Sequence, residues 1–243
     1  MILQAASAAL GRLFTPEFRA VFFKTLGLTI LALIGLWFAI GGLFDVLALP
    51  TLQELMPDLP GWAAWFGVAA TFVAGLMLAL GLGLLIAPVT AIIAGFFLDD
   101  VAEIVEREDY PQDAPGKALP LMTAAIVSAK FLGLVLLGNL LALLLLLVPG
   151  VNLIAFFVVN GYLLGREFFE FAAMRFRSEA DAKALRRRNA GTVFGAGLLI
   201  AAVLSVPVVN LLAPLFAAAM MVHLHKLVSI RENGPAAAVA GAS

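Results

Sequence analysis

Val148-Pro149-Gly150-Val151-Asn152-Leu153-Ile154-Ala155 and Val206-Pro207-Val208-Val209-Asn210-Leu211-Leu212-Ala213 are two copies of one apolar pattern, each set inside a long apolar run. Proline removes a backbone donor and its ring clashes with the preceding turn, so each run is expected to break there into two helical arms. The asparagine three positions on is suited to accept from the free N–H groups that open the next helix. Such a cap matters most where no water is present. Each stretch therefore reads as the tip of a helical hairpin inside a membrane.

Composition supports that reading. Hydrophobic residues make up 63% of the 243-residue chain and charged residues 13%, whereas a soluble domain carries roughly 25% charged residues. A fold with so little polar surface needs lipid around it. The chain has no cysteine, which excludes disulfides and thiolate metal sites. It has no phosphate-binding loop, no zinc-type His/Glu spacing and no nucleophile elbow. No enzymatic chemistry, cofactor or metal is expected, and nothing points to nucleic acid.

Outward from the two tips, the pattern predicts helices at about 20–49, 61–108, 119–148, 151–176, 190–206 and 211–229. Residues 1–230 read as a single membrane domain and the Gly/Ala/Pro-rich 231–243 as a disordered tail. Residues 1–19 form a partly amphipathic lead-in, with Thr15-Pro16 as a helix start. The first two long runs exceed the ~20 apolar residues needed to cross a bilayer. Trp62 and Trp65 suit an interfacial belt at the head of the second, and Pro88 should kink it. Beyond Pro88, Val101, Ile104 and Val105 share one face while acids fill most of the other, the pattern of a helix that has left the bilayer core.

Most of the later arms are shorter. At 1.5 Å per residue, arms of about 15 to 17 residues reach only roughly 22 to 26 Å, below the ~30 Å hydrocarbon thickness. They should penetrate only partway. The expected fold class is an all-α integral membrane protein with two long transmembrane helices and two re-entrant hairpins, with Pro88, Pro149, Pro207 and Pro214 as helix breaks. Lys and Arg gather near the N-terminus, around Arg107 and Lys117, from Arg166 to Arg188 and near the C-terminus, while residues 50–60 hold acids and no base. By the positive-inside rule both termini and both ends of each hairpin are cytoplasmic. Buried tips need protein to cover them, so a homo-oligomer is expected. The pairs Gly161/Gly165 and Gly191/Gly195 can bring helices close.

Several polar residues suit an anion. Arg19 can hold an oxyanion with two prongs or serve as an interfacial base. Asn152 and Asn210 stand at the starts of half-helices whose positive dipole ends attract anions, or they act as caps alone. Lys130, in the long hairpin arm, either lines a path or snorkels to the interface. Arg166 and Glu167 read as a gate or salt-bridge network, pairing with each other or with Asp99, Glu103 or Arg107. His223 and His225 read as interfacial side chains.

Three stretches then carry a resemblance: Phe97-Leu98-Asp99-Asp100-Val101 through Tyr110-Pro111; Gly165-Arg166-Glu167-Phe168-Phe169-Glu170 with Leu185-Arg186-Arg187-Arg188-Asn189; and Pro207-Val208-Val209-Asn210-Leu211-Leu212-Ala213-Pro214. In order and spacing the sequence resembles the CysZ-type sulfate permease family, which shares a superfamily with the etoposide-induced protein 2.4. The resemblance implies two long helices flanked by two pairs of partly penetrating helices, assembled as an oligomer in a bacterial inner membrane. It implies facilitated entry of sulfate that feeds cysteine biosynthesis. It also places Pro16-Glu17-Phe18-Arg19 where the family carries a Gly-Leu-Arg-like element, with Glu17 as an added carboxylate. Two functions stay open on the residues: a permeation protein for sulfate or a related oxyanion, and a non-transporting membrane scaffold acting through protein partners.

Overall fold

A computed structural model describes residues 1–43, 46, 64–118, 120, 122, 151–206 and 209–233, and among these residues no strand occurs. The helices are α1 (Ile2–Arg12), α2 (Pro16–Leu43), α3 (Ala64–Gly95), α4 (Leu98–Asp109), α5 (Val151–Met174), α6 (Glu179–Arg188), α7 (Ala190–Leu204) and α8 (Ala213–Asn233), with a 3-10 turn at Val209–Leu212. They divide into two compact units, one of Met1–Phe22 with Gly95–Ser243 and one of Phe23–Ala94.

The Phe23–Ala94 unit holds most of α2 and α3. The 28 residues of α2 are long and apolar enough to cross a membrane. Leu28, Ile30, Leu31, Ile34, Trp37 and Phe38 are all exposed on it, a distribution that is stable only against lipid. α3 carries no charged residue across its 32 positions. The helix expected over 61–108, with its break at Pro88, is instead two helices that part further on. The helix runs unbroken through Pro88 and ends at Gly95, and α4 starts at Leu98. Lipid offers the backbone no alternative partner, so a helix persists past one lost hydrogen bond. The chain breaks instead where it turns polar, with Asp99 and Asp100 in the first turn of α4, at the positive end of that helix's dipole.

In the other unit α8 is the core. Ala213, Leu215 through Ala219, and Met220 to Leu224 are buried on every side, by neighbours that include α1, α4, α5 and α7. Its alanine-rich first turns let helices approach from several directions. The stretch Val209–Glu232 is also long and apolar enough to cross a membrane, but 78% of its apolar 18-residue window is buried inside the protein. The expected arm over 211–229 is therefore part of a longer helix that reaches Asn233, so the first residues of the expected tail are helical.

α5 and α7 pack backbone to backbone. A Cβ on Gly165 would lie 2.5 Å from the Val193 carbonyl oxygen and 3.3 Å from Gly197 Cα, one on Gly161 would lie 2.6 Å from Leu198 Cδ2, and one on Gly197 would overlap the Gly161 carbonyl. The Gly161/Gly165 spacing does bring two helices together. Gly191 faces open space and Gly195 meets only Ile2 of α1, so that second pair makes no equivalent crossing.

α7 ends at Leu204 and α8 begins at Ala213, and between them the Asn210 N–H donates to the Val206 carbonyl at 2.8 Å. Pro207, the first tip at Pro149, and Lys130 with the rest of the arm over 119–148, save Pro120 and Met122, lie outside the described residues. Pro214 is corrected from a break to a start: it is the second residue of α8, where a missing N–H costs no helical bond. Two helices were not expected as such. α1 occupies the lead-in, and α6 occupies the charged linker, where the Ser178 hydroxyl accepts from the Asp181 N–H at 3.2 Å as a cap.

Candidate functional site

α4 supplies the acids around which the polar part of this unit is built. Its buried face carries Val101, Ala102, Ile104 and Val105 together with Glu106. A carboxylate on an apolar face needs a cation, and Arg175, just beyond the end of α5, provides it. Arg175 Nε donates to Glu106 Oε1 at 2.6 Å and Nη2 to Glu106 Oε2 at 3.1 Å, while Nη1 donates to Asp99. Burial works against the Arg175 charge, but Glu106 and Asp99 outweigh it and hold the guanidinium above its ordinary value. Burial is also the larger influence on Asp99, and it keeps that carboxyl above the usual range in spite of Arg175.

The same site ties down the chain that leaves α4. The Gly116 N–H donates to Glu106 Oε2 at 2.9 Å and the Lys117 N–H to the Arg175 carbonyl at 2.8 Å. A Cβ at Gly116 would lie 2.8 Å from Glu106 Oε1 and 3.0 Å from Arg175 Cβ, so a side chain there would have to displace the Glu106 carboxylate. Lys226 of α8 reaches Asp113 at 2.7 Å and lies 4.1 Å above the Phe176 ring and 5.4 Å from that of Tyr110, a buried cation held by one carboxylate and two aromatic faces.

At the far end of α4, Arg12 of α1 binds both Glu108 and Asp109. His223 shares a 2.9 Å hydrogen bond with the Tyr110 hydroxyl and stands 3.5 Å from Asp109. Burial, then Asp109 and Asp113, push the Tyr110 phenol up to about 12, so it stays protonated. His225 is stacked on Phe176 at 5.2 Å and shares a 3.3 Å hydrogen bond with Ser229. Both histidines are buried in the bundle, not interfacial as expected, because the end of α8 is enclosed by neighbours.

The expected network of Arg166, Glu167, Asp99, Glu103 and Arg107 does not form as one. Arg166 and Arg186 meet Glu170, at 3.5 and 2.7 Å. Glu167 lies beside that cluster, and burial, then Glu170, opposed by Arg166, push its carboxyl up to about 7. Asp99 belongs to Arg175 instead. Glu103 is exposed, and the exposed Arg107 comes only within 3.8 Å of Glu108. The partners that sequence reasoning missed are Arg12, Glu106, Asp113, Glu170, Arg175, Arg186, His223 and Lys226. One signal for Glu106 was present: it shares the face of Ala102 and Val105.

Of the residues assigned to an anion, Arg19 sits in the first turn of α2, next to the fully buried Phe18. Phe18 anchors the head of the helix and turns Arg19 outward. Arg19 is exposed and, among the described residues, has no salt-bridge partner. Glu17 is exposed beside it. Asn152 lies in the first turn of α5, and the half-exposed Asn210 in the 3-10 turn before α8. Among the described residues no three acids or histidines converge as metal ligands.

Residues 5–214 match a family model described as Sulfate transporter CysZ/Etoposide-induced protein 2.4. The matched stretch runs from α1 to the second residue of α8. A comparison with curated proteins gives no match.

Proposed function

Because this chain belongs to the Sulfate transporter CysZ/Etoposide-induced protein 2.4 family, we propose that it is a membrane permease for sulfate or a related oxyanion, supplying sulfur assimilation. The observation that carries the reading beyond the family is Arg19. Arg12, Arg175 and Lys226 are each neutralised by carboxylates, whereas Arg19 is an exposed guanidinium at the head of an apolar helix. Two parallel N–H groups on such a cation match the edge of a tetrahedral oxyanion. Lys130, Asn152 and Asn210 are the further residues we assign to the anion's path.

In this reading the protein is a multi-pass homo-oligomer of a bacterial inner membrane, with cytoplasmic termini and with re-entrant hairpins at both proline tips. Single cysteines at Gly150 and Val208 in the cysteine-free chain test the tips. They should resist membrane-impermeant thiol reagents added outside, and full labelling would assign spanning helices in their place.

The function is tested by uptake of radiolabelled sulfate into proteoliposomes, with unlabelled sulfate, sulfite, thiosulfate and chloride as competitors. Saturable uptake that the oxyanions suppress and chloride does not is the expected result. Uptake no greater than in empty liposomes, from protein that elutes as a folded oligomer, would overturn the permease reading in favour of a non-transporting scaffold.

A further inference from the structure

The first helix presents two unlike faces. Ala5, Ala6 and Ala9 are fully or almost fully buried, and Arg12 turns inward to Glu108 and Asp109 of α4. The opposite side carries Leu3, Leu10 and Phe14, which are 77%, 47% and 79% exposed. At 100° per residue Leu3 and Leu10 fall about 20° apart on the helix, flanked by Ser7, Gln4 and Gly11, and Phe14 follows in the turn after it. α1 has no acid, and its one base is occupied by α4, so the outer face holds no charge at all.

α4, joined to α1 by that same arginine, has the reverse outer face. Asp100, Glu103 and Arg107 are its exposed residues, a surface suited to water. The contrast cannot come from a shared environment. Continuity decides which environment α1 meets. The Leu13 N–H bonds to the Ala9 carbonyl and the Thr15 N–H to the Arg12 carbonyl, so a tight turn carries the chain from α1 to Pro16, where the apolar helix α2 begins. Phe14, the most exposed of the three, is within that turn.

We propose that the Leu3/Leu10 face of α1, together with Phe14 in the turn that follows it, is a lipid-docking surface. The helix lies along the membrane surface with these side chains in the boundary between headgroups and acyl chains, and it braces the head of α2 against the polar bundle. A stripe of this kind, with a polar shoulder and no charge, fits the acyl boundary better than the charged headgroup layer. The proposal does not depend on whether the protein transports an anion.

Spin labels on single cysteines test it in the full-length protein reconstituted in phosphatidylcholine/phosphatidylglycerol liposomes. L3C, L10C and F14C are compared with E103C and R107C, all at exposed positions, each checked by its elution profile. Labels at 3, 10 and 14 should collide preferentially with oxygen and show several-fold lower accessibility to a water-soluble nickel chelate than those at 103 and 107. Equal nickel accessibility at 3 and 10 and at the two α4 positions would overturn the proposal. Dipolar broadening between labels at position 10 in neighbouring copies would also overturn it, assigning the face to protein contact.

Discussion

Arg175 closes Nε and Nη2 on the two oxygens of Glu106, a residue 69 positions earlier in the chain, and both side chains are buried. This pair joins the end of α5 to the buried face of α4, and Glu106 also holds the Gly116 N–H. One carboxylate thereby fixes two elements at once.

Removing either partner strands a buried charge. R175M and E106L are each expected to destabilise the protein by about 3 to 5 kcal/mol, read as a lower midpoint in detergent thermal melts. The double variant R175M/E106L should recover part of that loss, because two apolar side chains leave only Asp99 without a cation. A double variant as unstable as the sum of the singles would rule out direct coupling.

The glycine crossing gives a second test. G197A places a methyl group into the Gly161 carbonyl, and overpacking of this kind costs about 1 to 3 kcal/mol. G191A, in open space on the same helix, should be neutral or slightly stabilising, since alanine is the better helix former. Equal melting temperatures for the two variants would show that α5 and α7 do not approach as closely as described.

Lys226 ties the segment after α4 to α8 through Asp113. K226M retains the aliphatic stem over Phe176 but loses the ion pair. Amide hydrogen exchange over residues 111–117 should then quicken by about tenfold or more, while exchange in the middle of α8 changes little. Unchanged protection across 111–117 would mean that Glu106 and Arg175 hold this segment without Lys226.

Glu167 makes stability depend on pH. Its folded carboxyl is pushed up to about 7 from the ordinary 4.5, so the folded state binds its proton more tightly than the unfolded state does. The favourable contribution is complete below about 4.5 and is lost as pH rises through 7. E167Q is neutral throughout. Its melting temperature minus that of the parent should therefore increase between pH 5 and pH 8, and a difference independent of pH would exclude a raised carboxyl pKa at this position.

If Arg19 holds the anion, R19A should lower sulfate uptake at least tenfold with the fold intact, and R19K should restore only part of it, because an ammonium lacks the planar fork. E17Q, which removes the neighbouring carboxylate, should raise apparent affinity. Full uptake by R19A would remove this residue from the mechanism.

Local patterns carried the membrane class and the long apolar helices, because each depends on hydropathy and backbone chemistry within a few turns. They also showed the Gly161/Gly165 spacing, but not that Gly197 would meet it. The place of the α3 break was misread, since a proline inside lipid loses less to a continued helix than to an open backbone. Which acid meets which base was not legible: Arg166, expected to pair with Glu167 or with an acid of α4, meets Glu170 one turn away, and Asp99 is held by an arginine 76 positions off. The sequence by itself determined that the chain is helical and apolar enough for a membrane. Only the tertiary structure decided that α8 is enclosed and that α4 is the acidic hub, because those pairings join residues 113 positions apart between α8 and the residues just after α4, and as far as 230 apart between α8 and the N-terminus, and depend on how the helices stack rather than on any local spacing.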